Sequence, residues 1–170
     1  MLPIPTRPLL FRLLLIACAC AASPAVLAQG PAAQWWGNLN IGSRHFGSDR
    51  RSTRPGGGFN EFNPGIGIEA QWQPRHGAAA GYFRNSVDED SVYALYHYTP
   101  LRLGRFVRLG GMAGVVTGYP GYNDGGLGPA AGLIAKIEGR GLGINLIFLP
   151  AVGDVVPPTL GLQAKWAFRR

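Results

Sequence analysis

The chain has 170 residues, with 16 basic and 9 acidic side chains, 26 glycines, 14 prolines and 46% hydrophobic residues. One domain accounts for the length, the apolar fraction argues against a disordered polymer, and the glycine and proline load favours short strands joined by turns over helices. The basic excess suits anionic lipid or lipopolysaccharide phosphates; nucleic acid is not expected, because the arginines are scattered and no basic helix appears.

At the N-terminus, Arg7 and Arg12 precede an apolar run over residues 13–22. That run is too short to span a bilayer as a helix and has signal-peptide length. Ser23-Pro24 breaks it and Val26-Leu27-Ala28 supplies small residues for cleavage, so residues 1–28 are expected to be a signal peptide and 29–170 the mature chain. Cleavage would remove both cysteines, Cys18 and Cys20, leaving no disulfide. It would also leave 14 basic against 9 acidic residues, a net charge of about +5. The alternative reading of Leu15-Ile16-Ala17-Cys18 is a lipoprotein box.

Beyond residue 34 the dominant signal is alternation. Over 35–41, Trp35, Leu39 and Ile41 oppose Trp36, Asn38 and Asn40. Over 65–72, Ile66, Ile68, Ala70 and Trp72 oppose Gly65, Gly67, Glu69 and Gln71. Segments 78–84 and 92–98 are apolar on both faces, which leaves their sidedness open. A long extended run over 105–118 places Arg108 and several glycines on its inner side. Over 129–138, Ala131, Leu133, Ala135 and Ile137 oppose Gly132, Lys136 and Glu138. Over 142–149, Leu142, Ile144, Leu146 and Phe148 oppose Gly143 and Asn145, and over 160–168, Leu160, Leu162, Ala164, Trp166 and Phe168 oppose Gly161, Gln163 and Lys165.

Eight such segments, each near the ~9–11 residues that cross a bilayer when tilted, predict an all-β fold. The expected architecture is an eight-stranded antiparallel outer-membrane β-barrel in the bacterial cell outer membrane, inserted by the barrel-assembly machinery and monomeric. A soluble barrel also alternates but hides its apolar side within. Here the polar faces suit a crowded interior and the apolar faces suit lipid, where only closure satisfies every backbone group. Tryptophans and tyrosines cluster at segment ends, as interfacial girdles do. The connections 74–77, 101–104 and 139–141 are short, whereas 47–64, 85–91, 119–128 and 150–158 are longer or more polar. Parity puts the longer four at one rim, expected to be the external one.

That rim carries the candidate chemistry. His45 ends the first segment and Ser86 follows Arg84-Asn85 after the third. A histidine can serve a serine hydroxyl as general base, with a third group orienting the ring. Asn85, Glu61, Asp88 and Asp90 are available for that part. The bland alternative is an interfacial histidine and a loop serine. Arg44, Arg50, Arg51 and Arg54 are candidate contacts to lipid phosphates, which the guanidinium fork fits, or simply a solvated loop. Pro129 and Pro150 lie at outer segment ends, where a missing N–H loosens a ladder or where prolines simply start and stop strands. No cofactor is expected, and no metal, since the 119–126 turn region lacks the carboxylates of a calcium loop. Inside, Arg108, Lys136 and Lys165 are expected to pair with Glu69 and Glu138 in one half, leaving the loop half freer.

Several short motifs, in order, resemble the outer-membrane lipid A palmitoyltransferase family, usually called PagP. Arg44-His45-Phe46 and then 54–59 are similar to its first-strand histidine and the charged loop leading to a glycine-rich second strand. Phe83-Arg84-Asn85-Ser86 resembles its Phe-Lys-Asp-Ser, Ala113-Gly114-Val115-Val116-Thr117 its Ala-Gly-Val-Thr strand, and Phe148-Leu149-Pro150 its Tyr-Ile-Pro. The resemblance implies transfer of a palmitoyl chain from a phospholipid to lipid A in the outer leaflet. It implies catalytic roles for His45 and Ser86, with Asn85 where the family has an aspartate, and lateral lipid access beside Pro129 and Pro150. The family's N-terminal amphipathic helix has no counterpart in residues 29–34. A non-catalytic structural, adhesion or lipid-binding barrel is the alternative.

Overall fold

The computed structural model describes residues 33–47, 57–73, 75–153 and 156–168. The expected signal peptide, its cysteines and the phosphate candidates Arg50, Arg51 and Arg54 lie outside the described residues. Eight strands form: β1 (Gln34–His45), β2 (Phe62–Trp72), β3 (His76–Arg84), β4 (Asp90–Leu103), β5 (Val107–Val116), β6 (Gly128–Gly139), β7 (Leu142–Leu149) and β8 (Thr159–Ala167). Each pairs antiparallel with the next, and β1 also pairs with β8, so the sheet closes into a barrel. Closure leaves no sheet edge.

The barrel is apolar outside, and its buried charges point inward. Ile66 and Leu142 are 67% and 66% exposed on the outer wall, whereas Lys136 and Lys165 are 1% and 2% exposed in the interior. The alternation expected over β1, β2, β6 and β8 has the predicted sides. β4 settles what its sequence left open: Ser91, Tyr93, His97 and Thr99 are buried inward, and Val92, Tyr96 and Tyr98 face out.

Two strands are longer than their alternation suggested. β1 runs past Ile41 to His45 because a register shift between Asn40 and Gly42 lets both neighbours keep pairing. β4 runs to Leu103 through a shift between Tyr98 and Leu101, where Pro100 supplies no N–H. β5 begins later than expected, since residues 104–106 form a turn with Gly104 at φ 62°.

The three short connections share one rim. The tightest is Arg140-Gly141, both at positive φ (52° and 80°), the signature of a two-residue hairpin whose twist matches its strands. The other rim carries the four longer loops. Near the short-turn rim the interior is filled by charge. Glu69 accepts from Lys136 Nζ at 2.7 Å, Lys165 Nζ at 3.2 Å and Asn145 Nδ2 at 3.0 Å. Lys165 also pairs with Glu138, Lys136 Nζ lies 3.4 Å from Glu138, and His97 Nε2 lies 3.4 Å from Glu69. The expected plug therefore forms, with one change of membership. The ion pairs of Glu69 and Glu138 run to Lys136 and Lys165, the His97 ring lies beside Glu69, and among the described residues Arg108 is not one of their partners.

Candidate functional site

The loop half of the barrel is hollow. A cavity of about 430 Å³ lies there, within the ~300–1,000 Å³ of ligand pockets. Its walls are mainly apolar, from Phe83, Leu95, Met112, Val116, Ile147 and Leu149. Inward positions of glycine leave the space: a Cβ on Gly67 or Gly81 would come within 2.4 or 2.6 Å of the Tyr93 hydroxyl. Both glycines therefore let Tyr93 lie across β2 and β3.

His45 and Ser86 line this one cavity, as do Pro129 and Pro150. His45 is brought there by the extra length of β1, where it pairs with Thr159 of β8. Its ring stacks on Phe59 at 4.3 Å and 12°, and its Nδ1 is buried without a hydrogen-bond partner. The residue after Phe59 ties this stack to the serine loop. Asn60 N donates to Ser86 O at 2.8 Å, and Asn60 Nδ2 donates to Asp88 Oδ1 at 2.7 Å. Phe59-Asn60 thus bridges the two candidate residues, a link that the alternation pattern could not reveal because it lies in a loop.

Ser86 is buried, and it lines the cavity together with Tyr119. Burial pushes the Tyr119 phenol up to about 12. It stays protonated at neutral pH, so the phenol is a hydrogen-bond donor in the cavity wall. Tyr119 was not singled out in the sequence; its only signal there was membership of a turn-rich loop.

Asn85 is placed differently. Its side chain is 0% exposed and does not line the cavity. Oδ1 accepts from Val87 N and Glu89 N at 2.9 Å each, while Nδ2 donates to Ser91 Oγ at 2.9 Å and Gly118 O at 2.6 Å. All of this holds the β3–β4 loop in shape and ties it to the end of β5. Of the other candidate partners of the histidine, Glu61 and Asp90 each pair with an arginine, and the Glu61 charge also reaches the His45 ring. Arg44 Nη1 donates to both oxygens of Glu61 at 2.9 Å, and Arg84 Nη1 to Asp90 Oδ1 at 3.0 Å. Arg44 is exposed at the loop rim, so a phosphate would compete there with Glu61.

The wall thins beside the two prolines. β6 and β7 pair only from Leu133↔Phe148 to Gly139↔Leu142, so Gly128 to Gly132 have no partner in β7. Pro129 and Ala131 are exposed on the outer face yet line the cavity. The cavity therefore lies directly behind the stretch of wall that lacks β6–β7 pairing. Tyr122 packs over Gly128, and its hydroxyl donates to Pro129 O at 2.9 Å, satisfying an acceptor at the loosened strand end.

No protein-family model matches the chain, and no curated protein matches it either.

Proposed function

We propose that this chain is an outer-membrane barrel that transfers an acyl chain from a phospholipid to lipid A in the outer leaflet. The observation that carries the reading is the cavity itself: an apolar chamber in the loop half that is lined by His45 and Ser86 and lies behind the unpaired stretch between β6 and β7. The inverted polarity of the barrel supports a lipid surround, because a closed sheet with apolar residues outward is what hydrocarbon requires. The motif order described above supports the acyltransfer class.

In this reading a phospholipid enters beside Pro129 and Pro150 and lays one acyl chain in the cavity. A lipid A hydroxyl attacks the ester carbonyl while His45 takes its proton. Ser86 donates to the oxyanion. The bond from the carbonyl carbon to the glycerol oxygen then breaks, and His45 returns the proton to that oxygen. The products are acylated lipid A and a lysophospholipid. Arg44 and the other arginines of its loop would hold lipid phosphates.

One observation favours a second reading, a lipid-binding barrel without chemistry: Asn85 is committed to its loop and offers His45 no orienting group. Mass spectrometry of lipid A from cells with and without the protein separates the two. Transfer predicts a lipid A species heavier by one acyl chain, lost in His45→Ala and Ser86→Ala. If no such species appears under any membrane stress while phospholipid co-purifies with the barrel, the lipid-binding reading stands and transfer is excluded.

A further inference from the structure

The deep end of the cavity is polar. Asn40 and Gln163 line it and are each 8% exposed, and Tyr93 is 7% exposed beside them. Gln163 Nε2 donates to Asn40 Oδ1 at 2.6 Å and more weakly to the Tyr93 hydroxyl at 3.4 Å. Behind them Asn145 Nδ2 donates to Gln163 Oε1 at 3.2 Å and to Glu69 Oε2 at 3.0 Å, so the floor is tied into the charged plug. Asn40 Nδ2 is buried and has no hydrogen-bond partner, although it lies near the Tyr93 hydroxyl. That hydroxyl accepts from Gln163 and still has a hydrogen to donate, for which the buried, unpartnered Asn38 Oδ1 is a nearby protein acceptor that a ligand oxygen would have to outcompete.

Two donors thus meet at the bottom of an otherwise apolar chamber. A methyl-ended chain filling the chamber would leave both facing hydrocarbon, which a buried donor does not tolerate well. A carboxylate there would be stripped of water and close to Glu69. A hydroxyl is neutral, accepts from both donors and carries a hydrogen of its own.

We propose that the cavity selects a single acyl chain bearing a hydroxyl at its buried end, recognised by Asn40 and the Tyr93 hydroxyl. The inference rests on the reading of this chamber as an acyl-chain site and names the class of chain it takes. It is independent of whether His45 and Ser86 perform transfer.

The test is competition on the purified full chain in amphipol, with a fluorescent fatty acid as the bound probe. The competitors are a saturated fatty acid and its ω-hydroxy analogue of equal chain length. The ω-hydroxy acid should displace the probe roughly three- to tenfold more effectively, the effect of about one net hydrogen bond. Asn40→Leu should abolish or reverse that preference while the far-ultraviolet dichroism stays that of a barrel. Tyr93→Phe, which removes only an oxygen, provides the same comparison if the leucine variant does not fold. Equal or better competition by the plain acid, or a preference unchanged in both variants, overturns the proposal and leaves the acyl site intact. If neither acid displaces the probe, the acyl-site reading falls with it.

Discussion

At the scale of single residues, Asn85 shows how a side chain beside a candidate serine can serve architecture alone. It uses its carbonyl oxygen on two backbone N–H groups and its amide on Ser91 Oγ and Gly118 O. The amide cannot be replaced by a second oxygen, because Gly118 O is itself only an acceptor. Asn85→Asp would set a buried carboxylate oxygen against that carbonyl. Such a loss costs about 1–3 kcal/mol, more when the group is charged. The expected outcome is faster hydrogen exchange at Val87 and Glu89, by roughly ten- to hundredfold, together with weaker rather than stronger lipid A acylation. Unchanged exchange would count against the loop-holding role. The sequence placed Asn85 and Ser86 at one rim with His45 by strand parity. It did not reveal Asn85 as a hub, because Gly118 lies 33 residues away and no periodicity links an asparagine side chain to a distant carbonyl.

At the scale of elements, alternation located the strands whose two faces differ, one toward the interior and one on the outer wall, whereas β3 and β4 read only as extended apolar segments. It was weakest where the pattern breaks. The shift at Asn40–Gly42 adds length to β1, and that length carries His45 to the cavity. The missing pairing of Gly128–Gly132 with β7 was marked in advance by Pro129 and Pro150, which cannot donate. The short hairpin joining these same two strands lies at the opposite rim. Its Gly141 sits at φ 80°, and a β-branched side chain in that left-handed region costs roughly 1–2 kcal/mol. Gly141→Val should lower the urea midpoint of the folded barrel accordingly while leaving probe binding in the cavity unchanged. A variant that keeps its midpoint would show that the turn tolerates the strain; one that loses binding as well would show that the two rims are coupled.

At the scale of the whole molecule, the interior divides into a charged half and an apolar half, and the division sets where a ligand can go. Glu69, Glu138, Lys136 and Lys165 bring equal and opposite formal charge into a space that excludes most water. Their inward direction was legible from alternation. The membership was not: Arg108 shares the inward side without joining the ion pairs, and the His97 ring lies beside Glu69 from a strand whose two faces read alike. Taking such charges out of water is unfavourable, so the cluster holds only while its members balance. Removing one carboxylate leaves two buried ammonium groups facing the other. Glu69→Gln should therefore destabilise the barrel by about 3–5 kcal/mol, measured as urea unfolding in micelles at neutral pH. The loss should be nearly independent of salt, because buried pairs are screened far less than exposed ones. Adding Lys136→Met restores the balance, so the double variant should recover much of that stability, a coupling that a double-mutant cycle reads directly. Were Glu69→Gln as stable as the parent, or the two changes simply additive, the charge balance would not be what holds the plug, and the boundary of the cavity would have to rest on the packing of Asn40, Gln163 and Asn145 instead.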